Sequence, residues 1–578
     1  MQHPSRALCV LALLLSVHFS ATAAKKPEPK KDLAKEINVI LSQPPLDRAH
    51  WGIDVLDLDS GAALFAQNPG QLFIPASNAK LFTTAAALAT ASADYRFRTT
   101  VEAEGRIDAS GRLLGNLVIV GRGDPNISGR TLPYAQKTQR TPPHTQILEE
   151  MADQVAKSGL KIVDGDVIGD DTYYAFEPYA EGWAVDDLQW IDGAPVSALS
   201  FNDNVVFLNI LPGEQAGDKA LITLEPETGY YEIENRIVTS VVGVAKRIGI
   251  HRDPGGKKIV LWGSLPLGDT GMKEPLAIED PAEFVAQLFR TLLERRGITV
   301  RGRARARHGE SAQFFDSIQL SPKDSIQLSP KDQPPTPLKL PPPGIDNPAA
   351  NPPAATREPG APPAQTGAAT QQNPLSATPA QRAPDADLPS TNKVLAEHFS
   401  TPLLDDIRVI NKTSQNLHAE LALRLVGKLR GTGGSFEGGN AAVKQFLAQA
   451  GIKEDEFVLL DGSGLSRRDL VTPAATVQLL RYAATQPWGA VFQESLPVGG
   501  VDGSLAERFA NTPASGLVHA KTGSLSHVNA LSGYVQTQKG RRLVFSILCN
   551  NHNLPGSKVL GAIDAIVQVL VGSETPKK

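Results

Sequence analysis

Residues Ile74–Lys80 read Ile-Pro-Ala-Ser-Asn-Ala-Lys, and the run that follows to Ala89 is rich in Ala, Leu and Phe with no interior Gly or Pro. That composition predicts a helix over Ser77–Ala89 with Ser77 in its first turn. Ser77 and Lys80 then lie one turn apart on one face, within hydrogen-bond reach. A serine hydroxyl is a poor nucleophile at neutral pH, and a partly desolvated lysine can act as the base that activates it. Taken alone, such a serine reads as a helix N-cap. Ser-x-x-Lys also occurs at Ser158–Lys161 and Ser390–Lys393, but Gly159 ends a helix between the first pair and a proline-rich stretch surrounds the second.

Outward from this helix, Asp32–Ser42 has the spacing of a short amphipathic helix, and Gly52–Phe65 reads as two strands turning at Asp59-Ser60-Gly61. Near the other end, Leu517–Leu525, Val528–Gln538 and Arg541–Asn550 read as strands, the last two joined at Lys539-Gly540. A closing helix, Ser557–Val571, sets Val559, Ile563, Ile566, Val567 and Leu570 on one face. The two N-terminal strands can join the three C-terminal ones in a single antiparallel sheet, which makes the fold class α+β, a sheet flanked by helices. The intervening sequence is then an insertion. From about Phe97 to Arg307 short Val/Ile/Leu stretches broken by Gly-Asp turns (Gly115–Val120, Leu160–Gly169, Asn204–Leu211, Ile233–Val242, Lys258–Trp262) predict β-rich accessory domains, with helices at Thr145–Ser158 and Pro281–Arg296. Helices Ser414–Arg430 and Ala441–Ala450 are expected around a glycine-rich loop, Gly431–Asn440. The expected units are a body in two parts, 32–96 and 395–572, an insertion over 97–310, and a tract over 316–390.

That tract repeats DSIQLSPK in tandem, Asp316–Lys323 and Asp324–Lys331, and about 18 of the chain's 44 prolines fall within it, a composition of disordered, partly polyproline linkers. At the N-terminus Arg6, the apolar run Ala7–Val17 and the small residues Ala21–Ala24 predict an export signal over residues 1–24. No segment offers the ~18 apolar residues of a membrane-spanning helix, so a soluble exported protein, periplasmic or in the cell-wall space, is expected. Across 578 residues, 57 basic and 61 acidic side chains give a net charge of −4, which excludes a general affinity for nucleic acid. Cys9 and Cys549 cannot form an internal disulfide once the signal is removed.

Two further patterns give the Ser77–Lys80 pair its context. Ser414-Gln415-Asn416 stands at the expected start of a helix, and Lys521-Thr522-Gly523-Ser524 stands on an expected strand shortly before the last helix. Ser-x-Asn is common by chance, as at Ser200–Asn202 and Ser390–Asn392, whereas Lys-Thr-Gly occurs once. The three motifs, in this order and on these elements, resemble the penicillin-binding proteins and serine β-lactamases. More than 300 residues separate the first two, and the chain is similar in this to the low-molecular-mass class C group, the D-alanyl-D-alanine carboxypeptidase/endopeptidase family. The runs VGRGDP (Val120–Pro125), GAPVSALSFND (Gly193–Asp203), SQNLHAE (Ser414–Glu420), DGSGLSR (Asp461–Arg467), GVDGSL (Gly500–Leu505) and AKTGSL (Ala520–Leu525) extend the likeness. It covers about Leu33 to Val571 outside the proline-rich tract, and Gln415 departs from the Asp common at its position.

The resemblance implies a transpeptidase-like fold of the penicillin-binding and β-lactamase type with inserted β-rich domains. It implies Ser77 as the acylated nucleophile, Lys80 as its base and Ser414 as a proton relay. Asn416 would bind the substrate backbone, Lys521 would supply charge for a terminal carboxylate, and Thr522 and Ser524 would contact that carboxylate. The backbone N–H groups of Ser77 and Ser524 would form the oxyanion hole. Peptidoglycan stem peptides and β-lactams are the implied ligands, with no cofactor and no metal. One rival is a β-lactamase, disfavoured because small β-lactamases need no long insertion. Another is a wall-binding scaffold in which the insertion and the proline tract recruit cell-wall proteins, disfavoured by the intact hydroxyls and amines. Other features have plainer readings. Arg122-Gly123-Asp124 is a turn, Gly431–Gly439 lacks the ending of a phosphate-binding loop, the eleven histidines lack metal-site spacing, and Arg301–His308 is a solvated basic face.

Overall fold

The computed structural model describes residues 32–135, 140–309 and 392–573. The expected signal and proline-rich tract lie outside the described residues, as does Ser390. The body is built on a five-stranded sheet in the order Val518–Leu525, Val528–Gln536, Arg542–Asn550, His50–Asp57, Ala63–Gln67, with every neighbouring pair antiparallel. The N-terminal hairpin thus completes the C-terminal meander. Its turn is set by Asp57, whose carboxylate accepts from both the amide and the hydroxyl of Ser60 at 2.6 Å, and by Gly61 at φ +73°.

Alternate strand residues Ile53, Val55, Leu531, Phe545 and Ile547 form a buried core with the helices Leu33–Leu41 and Gly556–Val571. Side chains such as Ile563 and Ile566, both fully buried, each contribute about 1.5–3 kcal/mol. The opposite face carries the helix Ala79–Ala91, buried on every side from Ala79 to Leu88. A helix apolar all round belongs in a core, and this one packs with Leu403–Thr413, Asn416–Leu429, Phe436–Gln449 and Pro473–Ala484. The helix that carries Lys80 is therefore the axis of the helical layer.

The insertion holds a seven-stranded mixed sheet and two three-stranded sheets that share one buried core with the helices Gln146–Lys157 and Pro281–Arg295. The strand Lys393–Phe399 pairs antiparallel with Arg98–Ile107 in the larger sheet. The boundary expected at residue 395 therefore falls inside a strand of the insertion, and the body resumes with the helix Leu403–Thr413. Leu160–Gly169 is broken into Ile162–Val163 and the start of Val167–Ala175. The Gly431–Asn440 stretch is helical from Phe436, because Ser435 caps the Gly438 amide at 3.0 Å and tertiary packing needs small residues there. A Cβ on Gly427 would sit 2.7 Å from Gly439 N, so the glycines mark a close helix crossing.

Candidate functional site

Ser77 lies in a 3₁₀ turn, Ala76–Asn78, that precedes the helix Ala79–Ala91, whereas the sequence placed it in the helix itself. The turn is pinned to the sheet. Asn550 clasps the Ile74 backbone, accepting from its N–H at 2.8 Å and donating to its carbonyl at 3.1 Å, and the Asn78 amide donates to Ser532 Oγ at 2.7 Å. Ala76, fully buried at φ +48°, makes the bend that presents Ser77. Two glycines let neighbouring segments close on it. A Cβ on Gly523 would meet Pro75 O at 2.7 Å, and one on Gly464 would meet Ala76 O at 1.9 Å.

Lys80 is 0% exposed and donates to Ser77 Oγ at 2.9 Å, to Asn416 Oδ1 at 2.7 Å and to Ser463 O at 2.7 Å, which uses all three ammonium hydrogens. Burial pushes its pKa down to about 8, opposed by the fields of Asp461, Glu420, Asp192 and Asp469. Ser414 stands between two helices at φ +63°, ψ +33°, and not at the start of one as expected. Its hydroxyl accepts from Lys521 Nζ at 2.9 Å. Lys521, also 0% exposed, is held well below its usual range by burial and by the charge of Lys80. Thr522 Oγ1 is 2.7 Å from Ser504 Oγ, and Ser524 Oγ accepts from Asn529 at 3.2 Å.

The seven residues singled out in the sequence thus converge. Ser77, Ser414, Asn416, Thr522 and Ser524 line one cavity of about 660 Å³, with Lys80 and Lys521 behind its wall. Asp186, Asp187 and Asp192 of the insertion line the same cavity, as does Arg467. Ser158, by contrast, ends the helix Gln146–Lys157 and gives its hydroxyl to Val155 O at 2.7 Å.

The runs DGSGLSR and SQNLHAE also hold Asp461, Ser463 and Glu420, whose roles no motif in the sequence signals. Asp461 accepts from the amides of Gly464 and Ser466 at 2.6 and 2.7 Å and from Trp183 of the insertion at 2.9 Å, and so shapes the loop whose Ser463 carbonyl holds Lys80. Glu420 accepts from Gly462 N at 3.0 Å, and burial together with Asp461 raises its pKa to about 8. The plainer features also have partners. Asp124 is buried in the turn after Gly123 and accepts from Asn126 N at 2.9 Å. The basic run is ion-paired rather than simply solvated, Arg305 with Asp166 at 2.7 Å and Arg307 with Glu104 at 2.9 Å.

The model of the D-Ala-D-Ala carboxypeptidase 3 (S13) family matches residues 33–321 and 380–571. The chain belongs to the S13 family. A D-alanyl-D-alanine carboxypeptidase of Actinomadura sp. (strain R39) is 31% identical over 558 residues, covering 94% of this chain and 86% of that protein. The D-alanyl-D-alanine carboxypeptidase DacB of Haemophilus influenzae is 23% identical over 550 residues, covering 94% and 92%. The crystal structure of penicillin binding protein 4 (dacB) from Haemophilus influenzae aligns with a TM-score of 0.69 at 20% identity, over 92% of this chain and 98% of that one. The fold expected from the three motifs is the fold observed, and the S13 chain is a serine enzyme of the D-Ala-D-Ala carboxypeptidase type. Residues 322–379, most of the proline-rich tract, fall outside the family match. No helix among the described residues is long and apolar enough to cross a membrane.

Proposed function

We propose that the chain hydrolyses the terminal D-alanyl-D-alanine bond of peptidoglycan stem peptides, and D-alanyl cross-links, through an acyl-enzyme on Ser77. The observation that carries this reading is the fully buried Lys80 amine 2.9 Å from Oγ of Ser77, a residue that lines the shared cavity. Lys80 in its neutral form takes the Ser77 proton as Oγ attacks the carbonyl carbon of the penultimate D-alanine. The oxyanion is received by the backbone N–H groups of Ser77 and Ser524, each worth about 2.7–4 kcal/mol in such sites. Ser414 gives its hydroxyl proton to the leaving amine and is reprotonated with the proton that Lys80 took; water then attacks the ester carbonyl, and its proton returns to Ser77 Oγ as the acyl group leaves. Asn416 is shared between Lys80 and the Asp192 carbonyl, to which it donates at 2.9 Å, so its amide is oriented before substrate arrives.

Lys521 acts from behind the cavity wall. A charge on Lys521 is costly where it is buried, because its Nζ donates to Ser414 Oγ and the Thr522 carbonyl and meets no carboxylate among the described residues. A substrate carboxylate held by the Thr522 and Ser524 hydroxyls supplies the missing counter-charge. The export signal expected in residues 1–24 supports action in the periplasm or cell-wall space, and the composition of the proline-rich tract supports a role in binding cell-wall proteins.

Incubation with a fluorescent penicillin and with a D-Ala-D-Ala pentapeptide tests the reading. Covalent label that stays on for many minutes, together with release of D-alanine, is the expected result. Rapid turnover of the label would favour a β-lactamase, and no label at all would leave only a scaffold.

A further inference from the structure

Asn202, Asp203 and Asn204 stand in succession at φ +51°, +55° and +54°, and all three are buried. A run of three left-handed residues without glycine is unfavourable at each position. The surrounding insertion holds it in place: Asn204 Oδ1 accepts from Phe201 N at 2.9 Å, and its amide donates to the Pro195 carbonyl at 2.7 Å. The strained turn aims Asp203 at the body. Asp203 Oδ2 accepts from Arg130, from Arg140 and, at 3.0 Å, from the Gln415 amide. Oδ1 lies 3.1 Å from Nε2 of His418, whose Nδ1 lies 2.5 Å from Asp406.

These partners enclose the Ser414–Asn416 turn. Asp406 belongs to the helix Leu403–Thr413 that ends at Ser414, and His418 to the first turn of the helix Asn416–Leu429 that begins just beyond it. Their bond ties together the two helices whose junction is Ser414 in its left-handed conformation. Gln415 caps the second helix, its side-chain oxygen accepting from His418 N at 3.2 Å while its amide reaches Asp203. With a carboxylate at each ring nitrogen, only the doubly protonated imidazole donates to both. The fields of Asp406 and Asp203 raise the His418 pKa despite its complete burial.

We propose that Asp203 is a positioning residue supplied by the insertion, which acts through Gln415 and His418, with Asp406, to lock the Ser414–Asn416 turn in the geometry that acyl transfer requires. This rests on the reading of Ser414 and Asn416 given above. It also gives the insertion a part in the reaction, because three of the groups that converge here, Arg130, Arg140 and Asp203, come from it.

The test uses the full chain, with Asp203→Ala and Asp203→Asn assayed well below their melting temperatures. The readouts are the limiting rate of acylation by fluorescent penicillin and the concentration that gives half that rate. Asp203→Ala should lower the limiting rate at least tenfold and change the half-saturating concentration less than threefold. Asp203→Asn, which keeps an oxygen for His418 Nε2, should recover part of the loss. A downfield imidazolium N–H resonance, assigned by its absence in His418→Gln, should vanish in Asp203→Ala. Lys257→Ala, which breaks the 2.6 Å pair with Glu283 elsewhere in the insertion, should leave the rate unchanged. If Asp203→Ala does not fold, Gln415→Leu carries the test, with a loss of at least threefold expected. A folded Asp203→Ala or Gln415→Leu with the wild-type limiting rate would overturn the proposal, as would a loss confined to the half-saturating concentration. Normal acylation by Ser414→Ala would instead overturn the underlying reading of that turn.

Discussion

At the level of single residues, the proposed role of Lys80 as the base ties the reaction to its protonation. Burial lowers its pKa to about 8, so the neutral base is the minor form at pH 6 and grows about tenfold per pH unit until that pKa is reached. The limiting acylation rate should rise from pH 6 and level off above about 8. A flat profile across that window would remove Lys80 from the role of base. Lys80→Arg, which cannot deprotonate in this range, should lose about 10²–10⁴ in rate at every pH. Ser77→Ala should abolish covalent labelling, while Ser158→Ala, whose hydroxyl is spent on its own helix end, should label normally. Mass spectrometry finding the adduct on any residue other than Ser77 would contradict the assignment. The role proposed for Lys521 predicts that its loss separates substrates by their charge. Lys521→Ala should cost about 3–5 kcal/mol of transition-state stabilisation on a peptide with a free C-terminal carboxylate, and much less on its C-terminal amide. Equal losses on the two would mean that Lys521 serves only to hold Ser414.

The elements show why part of this site could be read in advance and part could not. The seven side chains that converge at the cavity were legible because each sits in a short motif, and the sheet was legible because its strands and closing helix have clear periodicity. The backbone that aims those side chains was not. A serine before a helical run looks like an N-cap, yet Ser77 occupies a 3₁₀ turn bent at Ala76, and Ser414 links two helices in a left-handed conformation. Both conformations are imposed by distant partners, Asn550 and Ser532 for the first, and Lys521, His418 and Asp203 around the second. The carboxyl cluster beneath Lys80 was hidden for the same reason, since Glu420 and Asp461 meet only once the helix Asn416–Leu429 lies against the DGSGLSR loop. Gly464 tests how tightly that loop must close. It is at φ +78°, and a Cβ there would lie 1.9 Å from Ala76 O, so Gly464→Ala meets both backbone strain and a backbone clash. The substitution should destabilise the protein by more than about 1 kcal/mol and also slow acylation, because relief of the clash moves the Ser77 turn. A lowered melting temperature with an unchanged acylation rate at 20 °C would show that the loop supports the fold without shaping the site.

On the scale of the whole molecule, the insertion and the proline-rich tract differ in how they engage the body. The insertion reaches the site at several points: Trp183 on Asp461, the Asp192 carbonyl on Asn416, and Asp203 on Gln415 and His418. The tract leaves and re-enters the insertion itself. Ala304–Gly309 and Lys393–Phe399 are strands at opposite edges of one sheet, separated by Val167–Ala175, Arg112–Val120 and Arg98–Ile107. Four strand spacings give about 19 Å across the sheet. Pairing sets Arg307, Asp170, Val120, Thr100 and Glu397 level, and the two edge strands run parallel, so Gly309 and Lys393 are also about 20 Å apart along the strand direction. The gap to be bridged is then about 28 Å. Replacing Lys331–Leu388 by about ten Gly and Ser residues leaves a link of about 35 residues, whose r.m.s. span of about 33 Å covers that gap. The shorter loop changes closure entropy by only about 0.8 kcal/mol, in the stabilising direction. The melting temperature should therefore stay within a few degrees of the full chain, and the acylation rate should be unchanged. A large loss of acylation in this variant, with its melting transition intact, would show that the tract takes part in forming the site. A large loss of stability would show that the tract packs against the described core, and the chain's division into insertion and linker would have to be redrawn.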